Sequence, residues 1–323
     1  MKKPSLLFLL IAAGGLWILA QRYEIRGIED LQVVRSDSVP TDDSALPAAK
    51  HTETIRVASF NLGAFGPEKS SNAAVMEILA RILREFDVVA VQELCSTRPE
   101  VLRNLMDLVN ETGSHYSILV GPHVDPSSEA EQFAYIFDRA TIQTDRGAAY
   151  VIDDPDGLLS RPPLVGWFRV RGLPEEEAFT FTLVNVDICS DQTHFETRQL
   201  EAIFYKVRDD GRNEDDLIML GDFHLDDQNL GTLKEIPGIL AAISGTPTDT
   251  QQTAQYDNLL FQLPATVEYT GRSGVFDFLR EYNLTLEQAL QISDHLPVWA
   301  EFNGREGGGN PAIATMRGVT QKR

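Results

Sequence analysis

The chain has 323 residues, 43% of them hydrophobic and 24% charged, an ordinary balance for a globular protein able to bury a sizeable core. Its net charge of −20 is not ordinary. It excludes long-range electrostatic capture of polyanions, so any phosphate must be held locally, by a few cations or a metal.

At the N-terminus, MKKPSLLFLLIAAGGLWILAQR sets two lysines before an apolar run from Ser5 to Ala20. Residues 1–20 are therefore expected to be a signal peptide or an N-terminal membrane anchor. The run is slightly short for a span, whereas Ile18, Leu19 and Ala20 make a poor cleavage site, so both readings stand. Lys2 and Lys3 would stay inside, which predicts an exported chain, secreted or held to a membrane by this segment. Residues 21–54 are polar and acidic and read as a flexible linker, residues 55–303 as one domain, and the Gly-rich 304–323 as a disordered tail. Cys95 and Cys189, the only cysteines, could pair or remain separate thiols.

Within the domain, strand and helix signals alternate. IRVASF (55–60) reads as a strand. Val75, Ile78, Leu79, Ile82, Leu83 and Phe86 then fall on one helical face, with Asn72 as its cap. DVVAVQE (87–93) is the continuous apolar run of a strand buried on both faces. Thr97 and Glu100 are spaced as a capping box for the helix in RPEVLRNLMDLVN. Strands are predicted at 116–120, 133–137, 164–170, 179–186, 217–220, 258–261 and 297–302, and a helix near 196–208. The mixture predicts an α/β or α+β domain.

Several of these runs end on a polar residue: Asn61 after VASF, Glu93 after VVAVQ, Asp187 after LVNV and Asp222 after IMLG. Asp257 stands at a strand start, and Asp294 and His295 precede the last strand. Singly, each is an ordinary cap or turn residue. Together they suit a hard divalent cation, and a histidine beside carboxylates suits proton transfer near neutral pH. There is no P-loop, no Cys/His zinc spacing and no G-x-S-x-G elbow.

The segments ASFNLGAFGPEKSSN, FDVVAVQEL, EQFAYIFD, RPPLVGWF, LGDFHLDD, YDNLLF, GVFDFLREYNLTLEQAL and ISDHLPVWAEF occur in an order that resembles the endonuclease/exonuclease/phosphatase superfamily, and most of all its deoxyribonuclease I branch. The resemblance covers about residues 55–303. It implies a four-layer sandwich, two packed β-sheets flanked by helices, with the site at one edge. It also implies hydrolysis of phosphodiesters by in-line attack of water, with Mg²⁺ or Mn²⁺ as cofactor and Ca²⁺ as a further candidate. Carried over, Glu93 is the metal ligand, helped by Asn61 and Asp294. Asp222 orients or activates water, His295 is the acid/base held by Asp257, and Arg161 holds substrate phosphate.

The sequence also departs from that pattern. Asp187 stands where the family has a catalytic histidine, facing Glu131, so one of these carboxyls should be protonated or cation-bound. His224 replaces the phosphate-binding asparagine of G-D-F-N. Cys95 and Glu129 replace the arginine and tyrosine that read the DNA groove, which disfavours duplex DNA as substrate. Either the site works, with His224 donating to phosphate or with Asp187, Glu131 and His224 holding a second metal, or it has decayed into a binding module. The six matching residues favour a nuclease, with another phosphoester substrate or a pseudo-nuclease as alternatives. No protein partner is inferred.

Overall fold

The computed structural model describes residues 46–122 and 131–308. The expected signal or anchor at 1–20, most of the 21–54 linker, Glu129 and most of the 304–323 tail lie outside them. No helix among the described residues is long and apolar enough to cross a membrane.

The first half of the domain runs β1 (Thr54–Phe65), α1 (Ala73–Leu83), β2 (Val88–Cys95), α2 (Pro99–Asn110), β3 (Tyr116–Val120), β4 (Glu131–Asp138), β5 (Ile142–Thr144), β6 (Tyr150–Val151) and β7 (Leu164–Val170). The second half adds β8 (Thr180–Asp187), α3 (Thr193–Arg208), β9 (Leu217–Asp222), β10 (Ile239–Ala241), β11 (Asp257–Gln262), β12 (Tyr269–Val275), α4 (Leu286–Ile292) and β13 (Val298–Asn303). One sheet has the order β12-β13-β1-β2-β4-β3; the other has β10-β11-β9-β8-β7-β5, with β6 paired to β7. At the centre of each sheet lies one parallel pair, β1 with β2 and β8 with β9, joined through a helix because parallel neighbours need a long crossover.

Strand alternation builds the layers. Ile55 and Val57 of β1 face the second sheet, where they join Ala90, Tyr135, Phe168, Leu183, Leu220 and Phe302 in the inter-sheet core. Ala58 and Phe60 face the other way, against Leu79 and Leu83 of α1 and Leu102 of α2. Val184, Val186 and Met219 likewise meet Leu200 and Phe204 of α3. Helix, sheet, sheet and helix are thus the four layers expected. Full burial of each such side chain contributes about 1.5–3 kcal/mol.

Asn72 caps α1 as predicted, its Oδ1 accepting from the Ala74 and Val75 amides at 3.2 and 3.3 Å. The predicted capping box of α2 does not form. The helix begins at Pro99, which is pre-set for the first helical position, so Arg98 rather than Thr97 becomes the N-cap, and arginine has no side-chain acceptor to offer the first amides. Cys95 and Cys189 are not joined by a disulfide.

Candidate active site

The site follows from the same alternation. The inward row of β1 reads Ile55, Val57, Ser59, Asn61; that of β8 reads Phe181, Leu183, Asn185, Asp187; that of β9 reads Ile218, Leu220, Asp222. Each turns from apolar to polar at one end, and pairing sets those ends side by side. Asn61 is in register with Gln92, Asp187 with Asp222, and Asp222 with Asp257. Beneath them Gln92 Nε2 donates to Asn185 Oδ1 at 2.6 Å, and Asn185 Nδ2 donates to the Val91 and Ala134 carbonyls. These fully buried amides are satisfied, so they tie the sheets together where the apolar core stops.

Two local devices aim the carboxylates. Pairing slips on both sides of β2 near Glu93, which sits in a bulge with φ +57. That turn brings its carboxylate over β1, where it accepts from Asn61 Nδ2 at 3.0 Å and the Ala64 amide at 2.6 Å. The glycine of GDF is required as well. Gly221 has φ +148, and a Cβ there would lie 1.9 Å from the Val186 carbonyl oxygen.

Asp222 is the hub. It is fully buried, and its Oδ2 receives Asn61 Nδ2 at 3.3 Å. The same oxygen lies 3.5 Å from His295 Nε2 and 3.6 Å from His224 Nε2. Burial first, then the Asp257 charge, push its carboxyl up to about 6 against both histidines. His295 Nδ1 meets Asp257 Oδ2 at 2.9 Å, and Thr248 Oγ1 donates to the same oxygen at 2.7 Å. Burial opposes the imidazolium, but Asp257, through charge and hydrogen bond, and then Asp222 outweigh it and push His295 up to about 11. Ser293 fixes the approach: its Oγ donates to the Asn61 carbonyl at 2.7 Å and accepts from the His295 amide at 2.9 Å.

The altered positions form a second cluster on the other flank. Glu131 and Asp187 both face one cation, Arg161, whose Nε bonds Glu131 Oε2 and whose Nη1 lies 3.2 Å from Asp187 Oδ1. The cation expected between the two carboxyls is this arginine, and its fork is turned to them. Burial and the nearby Asp222 hold the Asp187 carboxyl well above its usual range in spite of Arg161, and its Oδ2 is buried without a partner. His224, at φ +47, packs its ring edge-on to Tyr256, centroids 5.2 Å apart, and aims Nε2 at Asp222. A second metal held by Asp187, Glu131 and His224 is not the set brought together. Among the described residues the donors within 4.8 Å of one another here are Asp187, Asp222 and His224, or Asp222, Asp257 and His295.

The expected metal ligands are arranged differently from a simple cage. Asn61 presents its amide nitrogen to Glu93 and Asp222, while its Oδ1 accepts from the Gly63 amide at 2.9 Å, so it spaces the two carboxylates. Asp294 is exposed beside Gly63, where a Cβ would come within 3.0 Å of Asp294 Oδ1 and 3.3 Å of Lys69 Nζ. Lys69 was not legible in the sequence. Its ammonium donates to the carbonyls of Leu62, Gly63 and Ile292, and burial lowers its pKa against the pull of Asp294 and Glu93. Thr248 and Tyr256 carried no signal either, whereas Ser293 stood inside the S-D-H motif. Carboxylate oxygens spaced by an amide, with an unpartnered buried oxygen at Asp187, are a donor set that fits a hard divalent cation.

This fold and site define a class. Residues 58–225, just over half of the chain, match the Endonuclease/Exonuclease/phosphatase family, and the chain belongs to it. Within that family it falls in the deoxyribonuclease I-like branch. It is 28% identical over 264 residues to Deoxyribonuclease-1-like 1 of Sus scrofa, covering 78% of this chain and 82% of that protein. To Deoxyribonuclease gamma of Rattus norvegicus it is 25% identical over 264 residues, covering 76% and 83%. The catalytic domain of human Nocturnin, solved with a bound sulfate anion, shares the fold at a TM-score of 0.53 and 14% identity, over 78% of this chain and 94% of that one.

Proposed function

We propose that the chain is an exported, divalent-metal-dependent phosphodiesterase that cleaves nucleic acid as an endonuclease. The observation that carries the reading is the buried relay from Thr248 through Asp257 and His295 to Asp222. In-line hydrolysis needs one group to take the proton of the attacking water and another to protonate the leaving oxygen. Asp222, raised to about 6, is a base matched to neutral pH; His295, pushed up to about 11, rests as the acid. Asp257 fixes the His295 tautomer by occupying Nδ1, which leaves Nε2 toward the reacting atoms. Glu93 is the residue to hold Mg²⁺ or Mn²⁺, with Asp294 across Gly63; the bound cation supplies charge stabilisation on the phosphate.

His224 takes part as a second imidazole beside Asp222, offering Nε2 to a phosphate oxygen where the branch has an asparagine. Asp187, Arg161 and Glu131 form a charge-compensated wall that orients the substrate; Arg161 is its one cation. Net charge of −20, with Cys95 and Glu129 in place of groove-reading residues, favours single strands over duplex DNA. Export rests on the two lysines and apolar run before Gln21. The test is the purified chain incubated with single-stranded DNA, RNA and plasmid in Mg²⁺ or Mn²⁺, beside Glu93→Gln. Cleavage of single strands above plasmid, lost with chelator and in Glu93→Gln, is expected. No cleavage with either metal overturns the enzyme reading and leaves a binding module.

A further inference from the structure

Arg161 lies on the stretch 152–163 between β6 and β7, which has no helix or strand of its own. What fastens it is a buried acid that the proposed reaction does not use. Glu196, in the first turn of α3, is 1% exposed and takes three hydrogen bonds, none from a cation. Its Oε1 accepts from the Ser160 amide at 3.0 Å and the Ser160 hydroxyl at 2.5 Å, and its Oε2 from the Cys189 amide at 3.3 Å. An acid in a first turn commonly serves the free amides of its own helix, but this one reaches out to two other segments. Both carry the wall of the site. Ser160 immediately precedes Arg161, and Cys189 lies just past Asp187 at the end of β8. Asp154 shapes the first segment, accepting from the Leu158 and Leu159 amides at 2.9 and 2.8 Å. The second is tied to the hub, since the Ile188 amide donates to the Asp222 carbonyl at 2.9 Å.

We propose that Glu196 is a positioning residue for Arg161: one oxygen holds the turn before Arg161, the other holds the turn after Asp187, and together they set the guanidinium in the wall that meets the substrate. The proposal rests on the reading of that wall as the part that orients substrate. The task needs a carboxylate of this length. All three facing groups donate, so both oxygens must accept. Glutamine would turn an N–H toward one of the donors, and aspartate is a methylene too short to reach both segments. The three hydrogen bonds, with the N-terminal end of a 16-residue helix, offset the cost of burying the anion. Arg161 depends on the clamp because its fork is shared between two strands. Its Nε bonds Glu131 on β4, while Nη1 lies 3.2 Å from Asp187 on β8. A slack turn would let the guanidinium follow Glu131 and leave Asp187.

The experiment is a double-mutant cycle in the full chain, with a single-stranded DNA oligonucleotide in Mn²⁺ and each variant assayed where its melt shows it folded. Glu196→Gln should raise KM on the order of tenfold and change kcat much less, because it loosens a substrate-holding group. On an Arg161→Gln background the same change should raise KM no further. Ser160→Ala, at an exposed position, removes only the hydroxyl donor and should shift KM in the same direction by a smaller factor, so the test survives a Glu196→Gln that does not fold. A readout without turnover is the Arg161 Nε–H resonance, assigned by its loss in Arg161→Gln. Its hydrogen exchange should be faster in Glu196→Gln and in Ser160→Ala than in the wild type. A KM rise as large on Arg161→Gln as on the wild type overturns the proposal, since Glu196 would then act on the fold and not through Arg161. If the wild type cuts nothing, the functional reading fails by itself and the resonance decides: faster exchange upholds the clamp, and unchanged exchange overturns it.

Discussion

One strand carries both of the molecule's unusual ends. Asp216, Ile218, Leu220 and Asp222 occupy a single inward row, with two apolar residues in the core between two buried carboxylates roughly 20 Å apart. At the Asp222 end every carboxylate in the cluster has an answering group: two imidazoles, an asparagine amide, and Arg161 nearby for Asp187 and Glu131. At the Asp216 end the carboxyls of Asp216, Glu214, Glu268 and Glu306 are answered by one another, by the Thr266 hydroxyl and by neutral donors, the Gly307 and Thr180 amides and the Trp167 indole, with no basic side chain among them. The difference separates two uses of buried charge. Where acids and bases are interleaved, protons can move between them; where only acids gather, burial holds them protonated and bonded to one another.

Asp257→Asn removes the charge behind His295 at the first end and should slow cleavage about 10²–10⁴-fold, read from initial rates on protein that a thermal melt shows to be folded, and should cost stability too because a buried ion pair is lost. Arg161→Gln should cost about 3 kcal/mol in urea unfolding, because it strands Asp187 and Glu131, and Asp187→Asn on that background should recover part of the loss. At the other end the sign reverses. Asp216→Asn with Glu268→Gln should stabilise the protein at neutral pH by on the order of 1 kcal/mol, since it removes repulsion and no ion pair. The smallest effect is on pH. Asp216 and Glu306 have folded pKa values raised above their unfolded ones, so their contribution is complete below about pH 4 and is lost as pH rises through about 7 and about 9. The wild type should lose Tm as pH rises across that range, and the double substitution should flatten the loss.

Much of the first end was readable in the chain. Strand runs that finish on Asn61, Asp187 and Asp222 place polar groups on one edge by alternation alone, and the S-D-H segment already held the Ser293 turn that presents His295. Other features were not readable, for physical reasons. The left-handed bulge at Glu93 comes from a slip in pairing with two neighbours, which no local propensity encodes. Arg161 reads as a phosphate holder until the fold brings Glu131 and Asp187 to its two sides. Spacing suggested a capping box at Thr97 and Glu100, but Pro99 claimed the first helical position. Residues 216, 268 and 306 lie far apart in the sequence; only the fold, which brings the chain before β12 and after β13 to the start of β9, assembles them.

In the proposed reaction the Asp257–His295–Asp222 relay moves protons for phosphodiester hydrolysis. His295→Ala tests it most directly, with single-strand cleavage in Mn²⁺ measured beside the wild type at matched folding. The wild type should cut, and the variant should be at least about 100-fold slower per folded molecule, whatever Tm it loses with the buried ion pair. Equal rates in the two proteins would contradict it.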